Sequence, residues 1–286
     1  FHINDWDAYK TELRKRLGLD NRFLRSLTLR AKQNPQRVVF AEADNPKILK
    51  AAHNAKEEGS CIPILLGFED YIKTQIEELG LNLEDCTIID PSRSPEITNR
   101  YGQIYYEKRA RKGMTLHEAT RKMRQRTYFG TMMVELGEAD AFISGQNRNY
   151  PDTIRPALEI IGKEEGTNKV AGMYIIMSKQ GPLFFADTTV NIDPSAEDLV
   201  DIVKLIHKTV TKLQIKPRIA MLSYSNFGSA KGPSVSKIQA ALRKLNTENP
   251  EILVDGEMQA NTALNSDLRQ ELFPFCKLGN ENANVF

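Results

Sequence analysis

Cysteine, histidine, tryptophan and long apolar runs are all scarce in this chain, and each scarcity excludes something. Three cysteines in 286 residues, Cys61, Cys86 and Cys276, are odd in number and far apart. Neither a disulfide framework nor a metal-ligand spacing can be built from them. Cys61 and Cys86 flank apolar runs, which predicts buried free thiols in a reducing cytosol. The four histidines, His2, His53, His117 and His207, are equally scattered, so no zinc site is expected. No stretch reaches the roughly 20 apolar residues a bilayer-crossing helix needs, and the first residues lack a signal-peptide pattern, so a soluble, cytoplasmic protein without a membrane partner is expected. Charge of one sign is lacking too: 39 basic against 37 acidic residues leave a net +2. Such a balance gives no global field for nucleic acid, and any anion site must be local. No Gly-x-Gly-x-x-Gly follows a strand, no Walker loop is present, and no repeat or low-complexity segment is visible.

What is present is alternation. After an amphipathic helix over Asp5–Leu17 and a second helix from about Asn21 to Gln33, strands and helices take turns. Strands are expected at Arg37–Ala41, Ile62–Leu66, Thr87–Ile89 and Ala139–Ile143, with helices at Pro46–Glu58, Phe68–Leu79 and between Ser94 and Leu136. That order predicts a parallel sheet with helical crossovers. The second half differs: Lys169–Ser178 and Pro182–Ala186 flank a hairpin-like KQG, so its sheet should be mixed. A helix over Ser195–Leu213, a strand over Arg218–Ser223, a helix from about Ser234 to Leu245 and a strand over Ile252–Val254 complete the reading. The length suits two domains, with the boundary expected at 150–151.

Loops at the carboxyl ends of parallel strands are where such folds place ligands. Two of them have the composition of an anion site. The segment SGQNRNYPDTIRPAL joins a strand to a helix through small, polar and cationic residues: Ser144, Gly145, Arg148, Asn149 and Tyr150, then Thr153 and Arg155 in the helix. A helix N-terminus with free N–H groups beside two arginines favours an anion. The segment SYSNFGSAKG offers Ser223, Ser225, Asn226, Gly228, Ser229 and Lys231, which is what a phosphate cradle requires, although an ordinary strand-to-helix turn has the same composition. Asp187 and Asn191, and likewise Asp255 and Gln259, either line a cleft or make turns. Between Arg100 and Arg126 nine Lys or Arg stand against two Glu, most of them on a solvated helical face.

Five ordered segments, VVFAEADNPKILKAA, SGQNRNYPDTIRPAL, FADTTVNIDPSAEDL, AMLSYSNFGSAKGPSV and VDGEMQANTAL, resemble the phosphate acetyltransferases. Within that family they are most similar to the acetyltransferase-like C-terminal domain of bacterial NADP-dependent malic enzymes. The resemblance runs from about Arg37 onward. It implies two α/β/α domains with a cleft between them, the first completed by residues from 280 onward and the second spanning 151–279 and dimerising. It also implies that Arg109 and Arg155 match two arginines on the phosphate and coenzyme A side of the cleft. Where the acetyltransferases typically read His-Ser-Thr, this chain has Arg148-Asn149-Tyr150, and Asn261 replaces a frequent Asp. The family's catalytic Ser-Arg pair and Asp belong to a segment that would follow Phe286, so no catalytic residue is assigned.

Two functions follow from the resemblance. The leading expectation is a regulatory domain that binds acetyl-coenzyme A, or another acyl-coenzyme A, and acts on a malic enzyme catalytic domain in the same polypeptide. NADP and a divalent metal would belong to that other domain, and the whole would be a homo-oligomer. The alternative is a working phosphate acetyltransferase.

Overall fold

The computed structural model describes residues 6, 18–164 and 167–286. Apart from Trp6, the helix expected over Asp5–Leu17 lies outside them. The chain forms two compact units, Arg25–Gly162 and a second made of Lys163–Phe286 with the residues up to Leu24. Helix α1 (Gly18–Gln33) carries the chain from one into the other.

The first unit is built on four parallel strands in the order β3-β2-β1-β4: β1 (Gln36–Phe40), β2 (Cys61–Leu66), β3 (Thr87–Ile89) and β4 (Ala141–Ile143). The helices between them are α2 (Pro46–Glu57), α3 (Glu69–Leu79), α4 (Pro95–Arg109), α5 (Leu116–Met123) and α6 (Arg126–Glu135), and α7 (Tyr150–Ile160) follows β4. The strands read as unbroken apolar runs because both faces are covered. Val38, Phe40 and Leu65 pack against Leu49, Ala52, Ile72 and Ile76 of α2 and α3. Val39, Ile64 and Leu66 point the other way, onto Tyr101, Tyr105, Phe129 and Met132 of α4 and α6. Alternate side chains of each strand thus feed separate cores. Gly130 lets α6 lie close on the sheet: a Cβ there would stand 2.5 Å from the Phe142 ring and 3.1 Å from Val39.

The second unit contains the hairpin β5 (Met173–Ser178) and β6 (Gly181–Ala186), antiparallel as the KQG connection predicts, and the parallel pair β7 (Ile219–Leu222) and β8 (Val254–Met258). Residues 284–286 join them. The Phe184 N–H donates to Asn284 O, the Phe286 N–H to Phe184 O, and the Ala220 N–H to Val285 O. The result is a mixed sheet. Helices α8 (Ala196–Lys212) and α9 (Pro233–Glu248) pack through Val200, Val203, Ile206, Val235, Ile238 and Leu242, and the short helices α10 (Ala260–Leu264) and α11 (Ser266–Leu272) follow β8.

Three of the differences from the sequence reading have a long-range cause. The units divide at 162–163 instead of 150–151, because α7 buries Ile160 in the first unit's core. Residues 284–286 lie in the second sheet and not in the first unit, because their backbone groups pair with β6 and β7. Strand β8 runs through Asp255-Gly256-Glu257, a sequence that looks like a turn, because pairing with β7 holds it extended. The thiols are less buried than predicted: Cys61 and Cys86 are half-buried and only Cys276 is buried, where desolvation pushes its pKa up to about 11.

Candidate functional site

In the first unit the carboxyl ends of β1 and β4 lie side by side, and the two segments that leave them are tied by one side chain. Glu42, only 6% exposed, accepts the N–H groups of Gly145 (3.1 Å) and Gln146 (2.8 Å) on one oxygen and that of Asn147 (3.1 Å) on the other. The turn does have the appetite for an anion that its composition suggests, and Glu42 satisfies it from within. Its backbone donors are therefore engaged, and side chains are what it presents. Asn149 caps α7, accepting the Asp152 N–H at 3.1 Å, and Thr153 donates back to Asn149 O. Tyr150 is exposed, and the Ser144 hydroxyl is shielded and without a partner.

The cations gather beside this turn. Lys122 from α5, Arg148 from the turn and Arg155 from α7 line a cleft of about 290 Å³, together with Gln125, Tyr128 and Asp152. Arg155 is loosely held by Asp152, at 3.9 Å. Lys122 is fixed from behind: its ammonium lies 3.2 Å from Glu159, 3.1 Å from the Tyr128 hydroxyl and 4.8 Å from that ring's centroid. Glu159 is the hub, accepting the hydroxyls of Tyr105 (2.6 Å) and Tyr128 (2.7 Å) as well. Burial pushes its carboxyl upward, yet these hydrogen bonds outweigh burial and hold it below the ordinary carboxylate range. Burial, and then the hydrogen bond to Glu159, push both tyrosine hydroxyls up, Tyr105 far up. Arg109 does not line this cleft. It stands behind Glu159, with its guanidinium at 3.7 Å and its Nε shielded without a partner. Lys122, Gln125, Tyr128 and Glu159 were missed by sequence reasoning because they sit on helices, or for Gln125 between two helices, that read as core or solvated face. The clue was Glu159, four residues after Arg155 and so on the same face of α7.

The second unit repeats the carboxylate device. Glu257, 1% exposed and one residue from the end of β8, accepts the Gly228 N–H (2.6 Å) and the Ser225 hydroxyl (2.9 Å) on one oxygen and the Gln239 amide (3.1 Å) on the other. Burial raises its pKa, and the backbone and side-chain donors overcome that and lower it. The loop expected to cradle phosphate therefore holds a carboxylate of its own. Ser223 and Ser229 accept the N–H groups of Ser225 and Asn226, while Lys231 is exposed. Gln259 donates to Tyr224 O, and its N–H to Asn226. Asp255 accepts the N–H groups of Gly256 and Lys277. Asn191 donates to Asp187 at 2.8 Å, and Asp187 also lines an apolar cavity of about 280 Å³ between α8 and the sheet. Among the described residues no group of three or more His, Cys, Asp or Glu is gathered as a metal site, and no helix is long and apolar enough to cross a membrane.

Comparison with known proteins matches this arrangement over almost its whole length. The family model described as phosphate acetyl/butaryl transferase covers residues 22–286. A phosphate acetyltransferase of Clostridium acetobutylicum is 34% identical over 264 residues, 90% of this chain and 79% of the relative. An NADP-dependent malic enzyme of Salmonella typhimurium is 33% identical over 276 residues, 95% of this chain but 36% of that enzyme, which carries the matched region within a longer chain. Among solved structures, the EutD phosphotransacetylase from Staphylococcus aureus superposes with a TM-score of 0.81 at 30% identity, covering 93% of this chain and 81% of the other. A phosphotransacetylase from Streptococcus pyogenes gives 0.79 at 32%, covering 92% and 80%.

Proposed function

The chain belongs to the phosphate acetyl/butaryl transferase family, and from that premise we propose that it acts in acyl transfer between phosphate and coenzyme A, with acetyl phosphate and coenzyme A giving acetyl-coenzyme A and phosphate. In this reaction the thiol sulfur attacks the acetyl carbonyl carbon and the carbon–oxygen bond to phosphate breaks. Phosphate leaves with the electron pair, and the thiol proton passes to a base. The observation that carries the proposal is the convergence of Lys122, Arg148 and Arg155 on one cleft. Fixed cations there offset the charge of the phosphate groups, and arginine forks suit their oxygens better than lysine does. Arg109 acts through Glu159, as a positioning residue. This reading takes precedence over a purely regulatory domain, because the relatives matched over most of their own length are phosphate acetyltransferases.

An assay of acetyl transfer with the purified protein tests this. Arg155→Ala is expected to lower kcat/KM about tenfold or more, since a lost charge-assisted hydrogen bond costs about 1.5–3 kcal/mol, and Arg109→Ala to lower it less. Saturable binding of acetyl-coenzyme A without any turnover would sink the enzymatic reading. It would favour the second one, a regulatory domain within a malic enzyme, which rests on the 33% identity to the Salmonella protein.

Association through the second unit is part of the same proposal. It is supported by β5, which exposes Tyr174, Ile175 and Ile176 in succession at 56%, 41% and 48%, an apolar edge that a monomer in water would have to tolerate. Light scattering at micromolar concentration should give at least twice the mass of one chain, and a monomer there would refute it.

A further inference from the structure

Behind the cleft, four helices each give one side chain to a single cluster: Tyr105 from α4, Lys122 from α5, Tyr128 from α6 and Glu159 from α7. Arg109, at the end of α4, approaches the other Glu159 oxygen at 3.7 Å. Two cations therefore share one carboxylate. Alone with it, the nearer lysine would close into a tight, charge-assisted pair and its charge would be neutralised inside the protein. The distances show what prevents this. The tyrosine hydroxyls take the short positions on Glu159 Oε2, 2.6 Å from Tyr105 and 2.7 Å from Tyr128, and Lys122 is left the long one at 3.2 Å. Its ammonium rests instead against the Tyr128 hydroxyl (3.1 Å) and the face of that ring (4.8 Å to the centroid), with the Tyr105 hydroxyl at 3.5 Å.

Tyr128 lines the cleft and stands where a ligand can meet it, whereas Tyr105 is 0% exposed and does not line it. Anything Tyr105 does for the cleft it must do through its neighbours. Resting on the acyl-transfer reading above, we infer that Tyr105 is a positioning residue of the reaction. Its hydroxyl occupies Glu159, and this keeps the Lys122 ammonium held at the cleft with its charge open to a phosphate group. A lysine side chain is long and flexible, so one that is already held in place loses less freedom when a ligand binds. Without the Tyr105 hydroxyl, Lys122 draws back onto the vacated side of Glu159, and the cleft loses a cation although the protein loses no charge.

A double-mutant cycle tests this, with kcat/KM for acetyl transfer measured for the wild type, Tyr105→Phe, Lys122→Gln and the double variant. Tyr105→Phe removes only the hydroxyl and keeps the ring in its edge-on contact with Tyr128, 5.7 Å between centroids, so the core stays filled. It is expected to lower kcat/KM about five- to tenfold. In the Lys122→Gln background the same change is expected to cost less than about twofold, because its effect runs through that lysine. A Tyr105→Phe protein with the kcat/KM of the wild type, or a Lys122→Gln protein with it, would overturn the assignment and leave acyl transfer standing. So would a loss equally large with and without Lys122, which is what a merely structural role gives. A wild type without turnover would overturn both.

Discussion

Glu42 and Glu257 are acids placed where the sequence pointed to bound anions. A glutamate buried to 1% is held at a loss unless its oxygens are occupied, and those of Glu257 are, by an N–H, a hydroxyl and an amide. Glu257→Ala would leave these donors without an acceptor and is expected to cost about 2–4 kcal/mol. Glu257→Gln should recover much of that, since one oxygen still accepts from both Gly228 and Ser225. Urea unfolding of the two variants measures the difference, and equal midpoints would contradict it. This is also where the sequence was only half legible. The donor-rich composition of both loops was visible, but the occupant of each lies 103 or 29 residues away along the chain. Local pattern gives no sign of such a pairing. Arg155 could be read as facing the site, whereas Arg109, matched by resemblance, turns out to press on Glu159 instead of the cleft.

At the level of elements, the strands and helices of the first unit were readable because each apolar run fills a core position on one face or the other. The error in β8 came where pairing partners override local preference. Gly130 lies within α6, where glycine is disfavoured, and is kept because the Phe142 ring leaves no room for a methyl. Gly130→Ala, helpful to an isolated helix, is expected to destabilise the protein by about 1–3 kcal/mol through overpacking. A thermal melt would reveal it as a lowered Tm, and an unchanged or higher Tm would show that α6 can shift outward at no cost.

For the molecule as a whole, the near balance of charge hides a set of carboxylates whose protonation opposes folding. Asp140 is held at about 2 by hydrogen bonds from Arg37, and Glu159 and Glu257 are held below the ordinary range by theirs. Each binds protons more weakly folded than unfolded. Their contribution is fully present above the ordinary carboxylate pKa of about 4, and is lost as the pH falls from there through about 2. Tm should therefore drop steeply across that window, with a shallower fall in Glu159→Gln. A Tm indifferent to acid would refute the assignment. Two units were expected from the length of the chain, but where they divide was not legible, since the packing of α7 and the pairing of residues 284–286 are long-range events. The carboxylates seated in the two loops have a kinetic meaning as well. A loop whose donors are satisfied from within keeps its shape before any ligand arrives, so binding needs no ordering step. The encounter itself then limits the association rate, which should rise as ionic strength is lowered and the arginines draw phosphate groups from farther away.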